Sequence, residues 1–168
     1  MAGFGNSVNG SASFVGAGQN NIVVGTSAGV VAGEGHNISA SYSMIAGGTS
    51  NSIEDTRSFI GSGADNVVTS SYAVVTGGLA NAVRSDKAFV GGGMINTIHE
   101  SGLYAGLVAG YNNYVDNTAG FVGAGYYNEV LGDGGSVVGG YINAVAANYA
   151  TITGGSYNRI TADNAMVG

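Results

Sequence analysis

The chain has no cysteine, no proline and no tryptophan, two histidines, and only 8% charged residues in 168. Without Cys there is neither a disulfide framework nor a thiolate metal site, and His36 and His99, far apart in the chain, cannot hold zinc by themselves. No metal or cofactor is expected. Four Lys and Arg against ten Asp and Glu leave a net charge of −6, so there is no basic footprint for phosphates or for an anionic membrane surface. Nucleic acid is not an expected partner. No apolar run reaches the ~18 residues of a membrane helix, and the start Met1-Ala2-Gly3-Phe4 lacks the charged and apolar regions of a signal peptide. The expectation is a soluble chain without membrane insertion, any export signal lying outside it.

What is abundant is glycine, 32 residues, together with a 45% hydrophobic content and a mean hydropathy of +0.22. A glycine-rich chain with few charges suggests disorder, but this much apolar surface argues for burial. Periodicity decides. One unit runs the whole length, typified by SFVGAGQNNIV, SFIGSGADNVV, AFVGGGMINTI and GFVGAGYYNEV. Its anchor is an Asn, at Asn6, Asn21, Asn37, Asn51, Asn66, Asn81, Asn96, Asn113, Asn128, Asn143 and Asn158, with spacings of 15, 16, 14, 15, 15, 15, 17, 15, 15 and 15.

Six residues before each Asn from the second on stands an aliphatic, from Val15 and Val31 to Ile152. Two after each Asn stands another, from Val8 to Ile160, with Ser39 the exception. Mostly β-branched side chains in two fixed columns imply strands. Three before the Asn is Gly, except at Glu34, and G-x-x-N fits a turn that needs a permissive backbone. A period near 15 is too short for a helical repeat and matches one coil of a β-solenoid. The fold class is therefore all-β, a parallel β-roll of about eleven 15-residue coils in a single domain spanning 1–168. At a strand spacing of ~4.8 Å the rod is roughly 50 Å long.

Stacked Asn21, Asn37, Asn51, Asn66, Asn81, Asn96, Asn113, Asn128, Asn143 and Asn158 would form an amide ladder; the plainer reading is that Asn is simply a good turn former. The charges gather in the residues after the second strand of each unit, as in Glu54-Asp55-Thr56-Arg57 and Arg84-Ser85-Asp86-Lys87, so that turn faces water. The two extra residues between Asn96 and Asn113 are expected near Ser101-Gly102-Leu103, where a solvent-facing turn absorbs them.

Strand alternation turns a second column outward: Phe14, Val30, Met44, Phe59, Val74, Phe89, Phe121 and Met166. Where it loses bulk, at Gly106 and Ser136, its neighbour two residues on gains it, as Val108 and Val138; beside each of Phe14, Phe59, Phe89 and Phe121 that neighbour is Gly. Matched volume marks a packed surface, and so long an apolar stripe exceeds what a soluble monomer exposes. A homo-oligomer is expected, most simply a trimer with this face on its axis; the alternative is a face that another segment covers.

On these residues the unit resembles the head repeats of trimeric autotransporter adhesins, a left-handed β-roll, and related repeats in bacteriophage tail fibres. The 15-residue period and the Phe-Val-Gly strand depart from the adhesin pattern. The resemblance implies an extended fibre on a cell or virion surface, holding a host-cell glycan or matrix protein, with no catalytic residues. The x-x-N-x-V-x-G pattern, as in Gln19 to Gly25, is also similar to a plant ice-binding β-roll, but ranks of Thr-x-Thr are needed there and Thr151-Ile152-Thr153 alone fits.

The last residues, Ala165-Met166-Val167-Gly168, open a further unit. If Met1 is removed, Ala2 placed directly after Gly168 restores a 15-residue Asn spacing, so Ala2, Gly3, Val167 and Gly168 form the expected junction of a head-to-tail filament. Chemistry is scarce. Gly25-Thr26-Ser27-Ala28-Gly29 matches G-x-S-x-G, but that elbow requires a strand-to-helix turn; no enzyme is expected. Asn9-Gly10-Ser11 and Asn37-Ile38-Ser39 are sequons that so Asn-rich a chain produces by chance. In the C-terminal units Tyr111, Tyr126, Tyr127, Tyr141 and Tyr157 gather before the Asn, where they stack as a ladder or bind a sugar.

Overall fold

The computed structural model describes residues 3–168. Among these the chain is all-β, a parallel β-solenoid of about eleven coils with no helix. Every strand is two residues long, because each coil turns again as soon as one side chain has entered the interior. The strands alternate between two eleven-stranded parallel sheets. The first runs from Ser7–Val8 through Val67–Val68 to Arg159–Ile160, and the second from Phe14–Val15 through Val74–Val75 to Met166–Val167. A third line of isolated parallel bridges, Phe4 to Gln19 and onward to Ser156, closes the remaining side of the coil.

Register repeats from coil to coil: Val67 pairs with Ala82 and Val68 with Val83, Val74 with Phe89 and Val75 with Val90. The β-branched columns expected inside are inside. Ile45, Ile60, Val75, Val90 and Leu107 of the second sheet face Ile53, Val68, Val83 and Ile98 of the first, all fully buried. The interior is thin, two large side chains per coil, with Ala28, Ala73 and Ala88 or Ser43 and Ser58 filling the corner. The serines also work as polar rungs: Ser58 Oγ donates to Ser70 O at 2.7 Å and accepts from the Ala73 N–H at 3.1 Å.

The third coil differs from the sequence reading by one residue. The ladder position there belongs to His36, not Asn37. Asn37 lies exposed in the first sheet, pairing with Ile22 and Ser52. The shift carries Val30 into the core, fully buried, and puts Gly29 in the outward column with Val31 exposed beside it. Val30 is therefore not an interface residue. With His36 as anchor the neighbouring spacings become 15 and 15, Gly33 replaces Glu34 three residues before it, and Ile38 replaces Ser39 two after it. An imidazole stands where the other coils have an amide, and only the flanking columns show the true register.

The two additional residues lie in the turn between Thr97–Ile98 and Gly106–Leu107. The Gly102 N–H donates to His99 O at 2.9 Å and the Ala105 N–H to Gly102 O at 2.9 Å, a small extra turn that leaves Ile98 paired with Val115 and Phe89 with Gly106. The glycine three before each ladder residue has φ of +85° to +121°. At Gly63, φ +97°, a Cβ would also strike the Gly78 carbonyl; that carbonyl accepts from Asn66 Nδ2 at 2.9 Å. The close approach that excludes a side chain is the one that satisfies the ladder amide.

Candidate functional site

Three features of the surface and interior are built column by column: an amide spine, an uncharged outer face and an aromatic edge. In the spine, most Asn Oδ1 atoms accept twice from the next coil. Asn66 Oδ1 receives the Asn81 N–H at 3.1 Å and Asn81 Nδ2 at 3.0 Å. Asn81 Nδ2 reaches further, to Gly77 O at 3.2 Å and Gly93 O at 3.1 Å. Asn81 and Asn96 repeat the pattern, as do Asn96 and Asn113 across the longer coil. Every amide points the same way, so each coil offers donors on one side and acceptors on the other. Asn21, Asn51, Asn128 and Asn143 are buried members of the same line, and Asn158 is half-buried.

His36 interrupts it. Its backbone N–H donates to Asn21 Oδ1 at 3.0 Å, and its Nδ1 accepts from the Asn51 N–H at 3.1 Å, standing in for Oδ1. Nε2, which must then carry the proton, is buried and finds no partner. Burial holds the imidazole below its ordinary pKa of 6.5, opposed by nearby backbone groups of Asn51, Gly48 and Ala32.

The outer face of the second sheet places Phe14, Gly29, Met44, Phe59, Val74, Phe89, Gly106, Phe121, Ser136, Thr151 and Met166 in consecutive pairing. Phe14, Met44, Phe89, Phe121, Val108 and Val138 are exposed, Phe59 and Val74 half-buried. Gly29 with Val31 now repeats the exchange seen at Gly106 with Val108. Part of this volume matching is satisfied within the chain: a Cβ at Gly29 would strike the Phe14 ring, and one at Gly91 would stand 3.4 Å from Phe89 Cε1. The rings lean over bare backbone yet leave Phe14 49% exposed. No residue of this column, nor of the one two residues on from Gly16 to Gly168, carries a charge. The outer columns of the first sheet carry Glu54, Arg84, His99, Asp116, Glu129 and Arg159. There His99 Nδ1 meets Asp116 Oδ1 at 2.8 Å, and Tyr114 donates to Asp116 Oδ2 at 3.1 Å.

Along the third side Tyr111, Tyr126 and Tyr141 are successive bridge partners. Tyr126 lies tilted against Tyr111 at 5.8 Å, and the others pack edge to face: Tyr111 to Tyr127 at 5.5 Å, Tyr127 to Tyr141 at 6.5 Å, Tyr141 to Tyr157 at 5.5 Å between centroids. The Tyr127 hydroxyl raises the phenol pKa of Tyr111, and the Tyr157 hydroxyl that of Tyr141. These rings thus contact one another. Beside them Leu79, Met94, Tyr111 and Tyr126, over a floor of Gly78, Gly93 and Gly110, line an open groove of about 430 Å³.

A further column lies in the turn six residues after the ladder, where the sequence reading saw only solvated charge. Arg57 Cζ sits 5.3 Å from the Tyr42 ring and 5.4 Å from the Tyr72 ring, and Lys87 Nζ 4.9 Å from Tyr104 while donating to its hydroxyl at 3.1 Å. With His36 as the third anchor, Tyr42, Arg57, Tyr72 and Lys87 fall in one column of alternating Tyr and cation. Ser27 of the G-x-S-x-G match sits in that same turn at φ +53°, on a strand-to-strand connection that is no nucleophile elbow. Among the described residues no three His, Asp or Glu side chains converge as a metal site. Gly3, Val167 and Gly168 lie in the terminal coils; Ala2 lies outside the described residues. No protein-family model matches the chain, and no curated protein matches it.

Proposed function

We propose that the chain is a non-enzymatic structural protein that builds an extended extracellular fibre on a cell or virion surface, associating through the outer face of its second sheet and stacking coils end to end. The observation that carries this reading is the asymmetry of the two sheets: one face presents Phe14, Met44, Phe89, Phe121, Val108 and Val138 without a charge, while the other is charged. An apolar, charge-free patch of this extent fits a protein-protein contact. The resemblance to trimeric adhesin heads and tail-fibre repeats favours three chains around that face. End-to-end growth draws on the polarity of the spine: the donors on one side of a coil complement the acceptors on the other, a heterologous contact that extends without closing.

Sedimentation velocity tests this with the triple variant Phe59→Ser, Phe89→Ser, Phe121→Ser. The wild type is expected to sediment as a multimer of the 16.5 kDa chain and the variant at lower mass, its lateral association lost, with an unchanged β spectrum. A monomeric wild type, or a variant of unchanged mass, overturns the reading.

The groove beside Tyr111 and Tyr126 favours a second reading, a receptor-binding head that takes a glycan against the tyrosines. There, changing Tyr126 and Tyr141 to Ser abolishes glycan binding and leaves the mass unchanged.

A further inference from the structure

The spine holds one buried titratable group. Every other rung is an amide, which has no charge to gain at any ordinary pH; His36 has. Its imidazole is 1% exposed, its Nδ1 is committed as an acceptor to the Asn51 N–H at 3.1 Å, and its Nε2 makes no hydrogen bond. The position follows from the fold, since Gly33 beneath the ring and Ala32 and Gly48 around it occupy the places that Asn-bearing coils give to the partners of Nδ2.

We infer that His36 is an acid-sensitive break in the spine: protonation of its Nδ1 opposes the Asn51 N–H and loosens the contact of the third coil with the fourth. A proton on Nδ1 converts the acceptor into a donor, so two N–H groups face each other and the hydrogen bond is lost. The positive charge that arrives meets only backbone groups of Ala32, Gly48 and Asn51, which oppose but do not outweigh the cost of burial, and no carboxylate. The coil before it, residues 16–30, carries no ionisable side chain, and neither does the ladder side of the next. On its own coil Glu34 lies exposed in the bridge line between Gln19 and Thr49, and Tyr42 stands across the coil beside Arg57. Glu54, Asp55 and Arg57 of the fourth coil lie in the turn beyond Ile53.

The sign follows from the lowered pKa of the folded state. Above about pH 6.5 both folded and open states hold the imidazole neutral and the contact is at full strength. Below it the open state takes a proton that the closed state refuses, so closure weakens by about tenfold per pH unit until the folded imidazole itself titrates. In a solenoid each coil is held by its neighbours alone, and the loosening stays local. The expected opening covers residues 33–51 and the coils on their N-terminal side, and leaves those beyond Asn96 closed.

Hydrogen exchange of the full chain at pH 7.5 and 5.0, corrected for intrinsic rates, tests this. Protection around Asn21, His36 and Asn51 is expected to fall at pH 5.0, by up to about tenfold per pH unit below 6.5, while that around Asn113 to Asn143 holds, and His36→Asn, which restores the amide, removes the difference. Equal acid sensitivity in His36→Asn, or no loss in the wild type, overturns the inference. A ring-proton titration of the wild type by NMR decides independently should the variant fail to fold: a His36 that titrates at 6.5 without disturbing the Asn51 amide overturns it as well.

Discussion

At the residue scale the ladder Asn does what few side chains can. It offers two acceptor lone pairs and two donors in one plane, and all are used: Asn81 donates to Asn66 Oδ1, Gly77 O and Gly93 O, and accepts from the Asn96 N–H and Nδ2 at 3.0 Å each. Removing it strands buried partners on both neighbouring coils, each at about 1–3 kcal/mol. Asn81→Ala is therefore expected to destabilise the chain by at least ~3 kcal/mol in thermal or urea unfolding. Asn81→His is expected to cost less, because His36 shows that an imidazole can accept through Nδ1 from the following N–H. Equal losses for the two variants would argue that the amide acts as a turn former and not as a rung. The same chemistry explains the misplaced register. Asn37 sits beside the true anchor, and an Asn was a more natural rung than a His; the structure resolves the matter through Val30 and Ile38, both fully buried.

At the scale of the coil, the energetics rest on two aliphatic positions. Ile60 is fully buried between Ile45 and Val75, its partners in the adjacent strands. Ile60→Ala leaves a cavity that so regular a stack cannot close, at about 2–5 kcal/mol. Faster hydrogen exchange is expected at residues 45–75, with the distant coils untouched; a uniform acceleration along the chain would contradict a nearest-neighbour solenoid. Much of this architecture was legible in the sequence, since the period, the two interior columns and the glycine before the Asn all carry a physical requirement that repeats every coil. The extra turn after His99 was legible for the same reason, as the place where the period lengthened by two residues. Lateral contacts between turns were not: the pairing of Tyr42, Arg57 and Tyr72 depends on the third register, and the edge-to-face tyrosines show themselves only once Tyr111, Tyr127 and Tyr141 are placed in space.

At the scale of the molecule, a continuous polar spine runs beside one face without charge. The spine sets a fixed rise per coil, so Phe14, Phe59, Phe89 and Phe121 stand three, two and two coils apart along the rod, and a second copy carries the same spacing. Such a surface suits a partner with the same repeat. The measurement that tests this most directly is light scattering on the isolated chain together with negative-stain electron microscopy of the same sample. Rods of several-fold the 16.5 kDa mass, longer than the roughly 50 Å expected of eleven coils at the strand spacing, are the predicted result. Discrete particles of three-chain mass would remove end-to-end growth and leave the head reading, and a monodisperse 16.5 kDa monomer would contradict the central claim that the uncharged face is there to meet another copy.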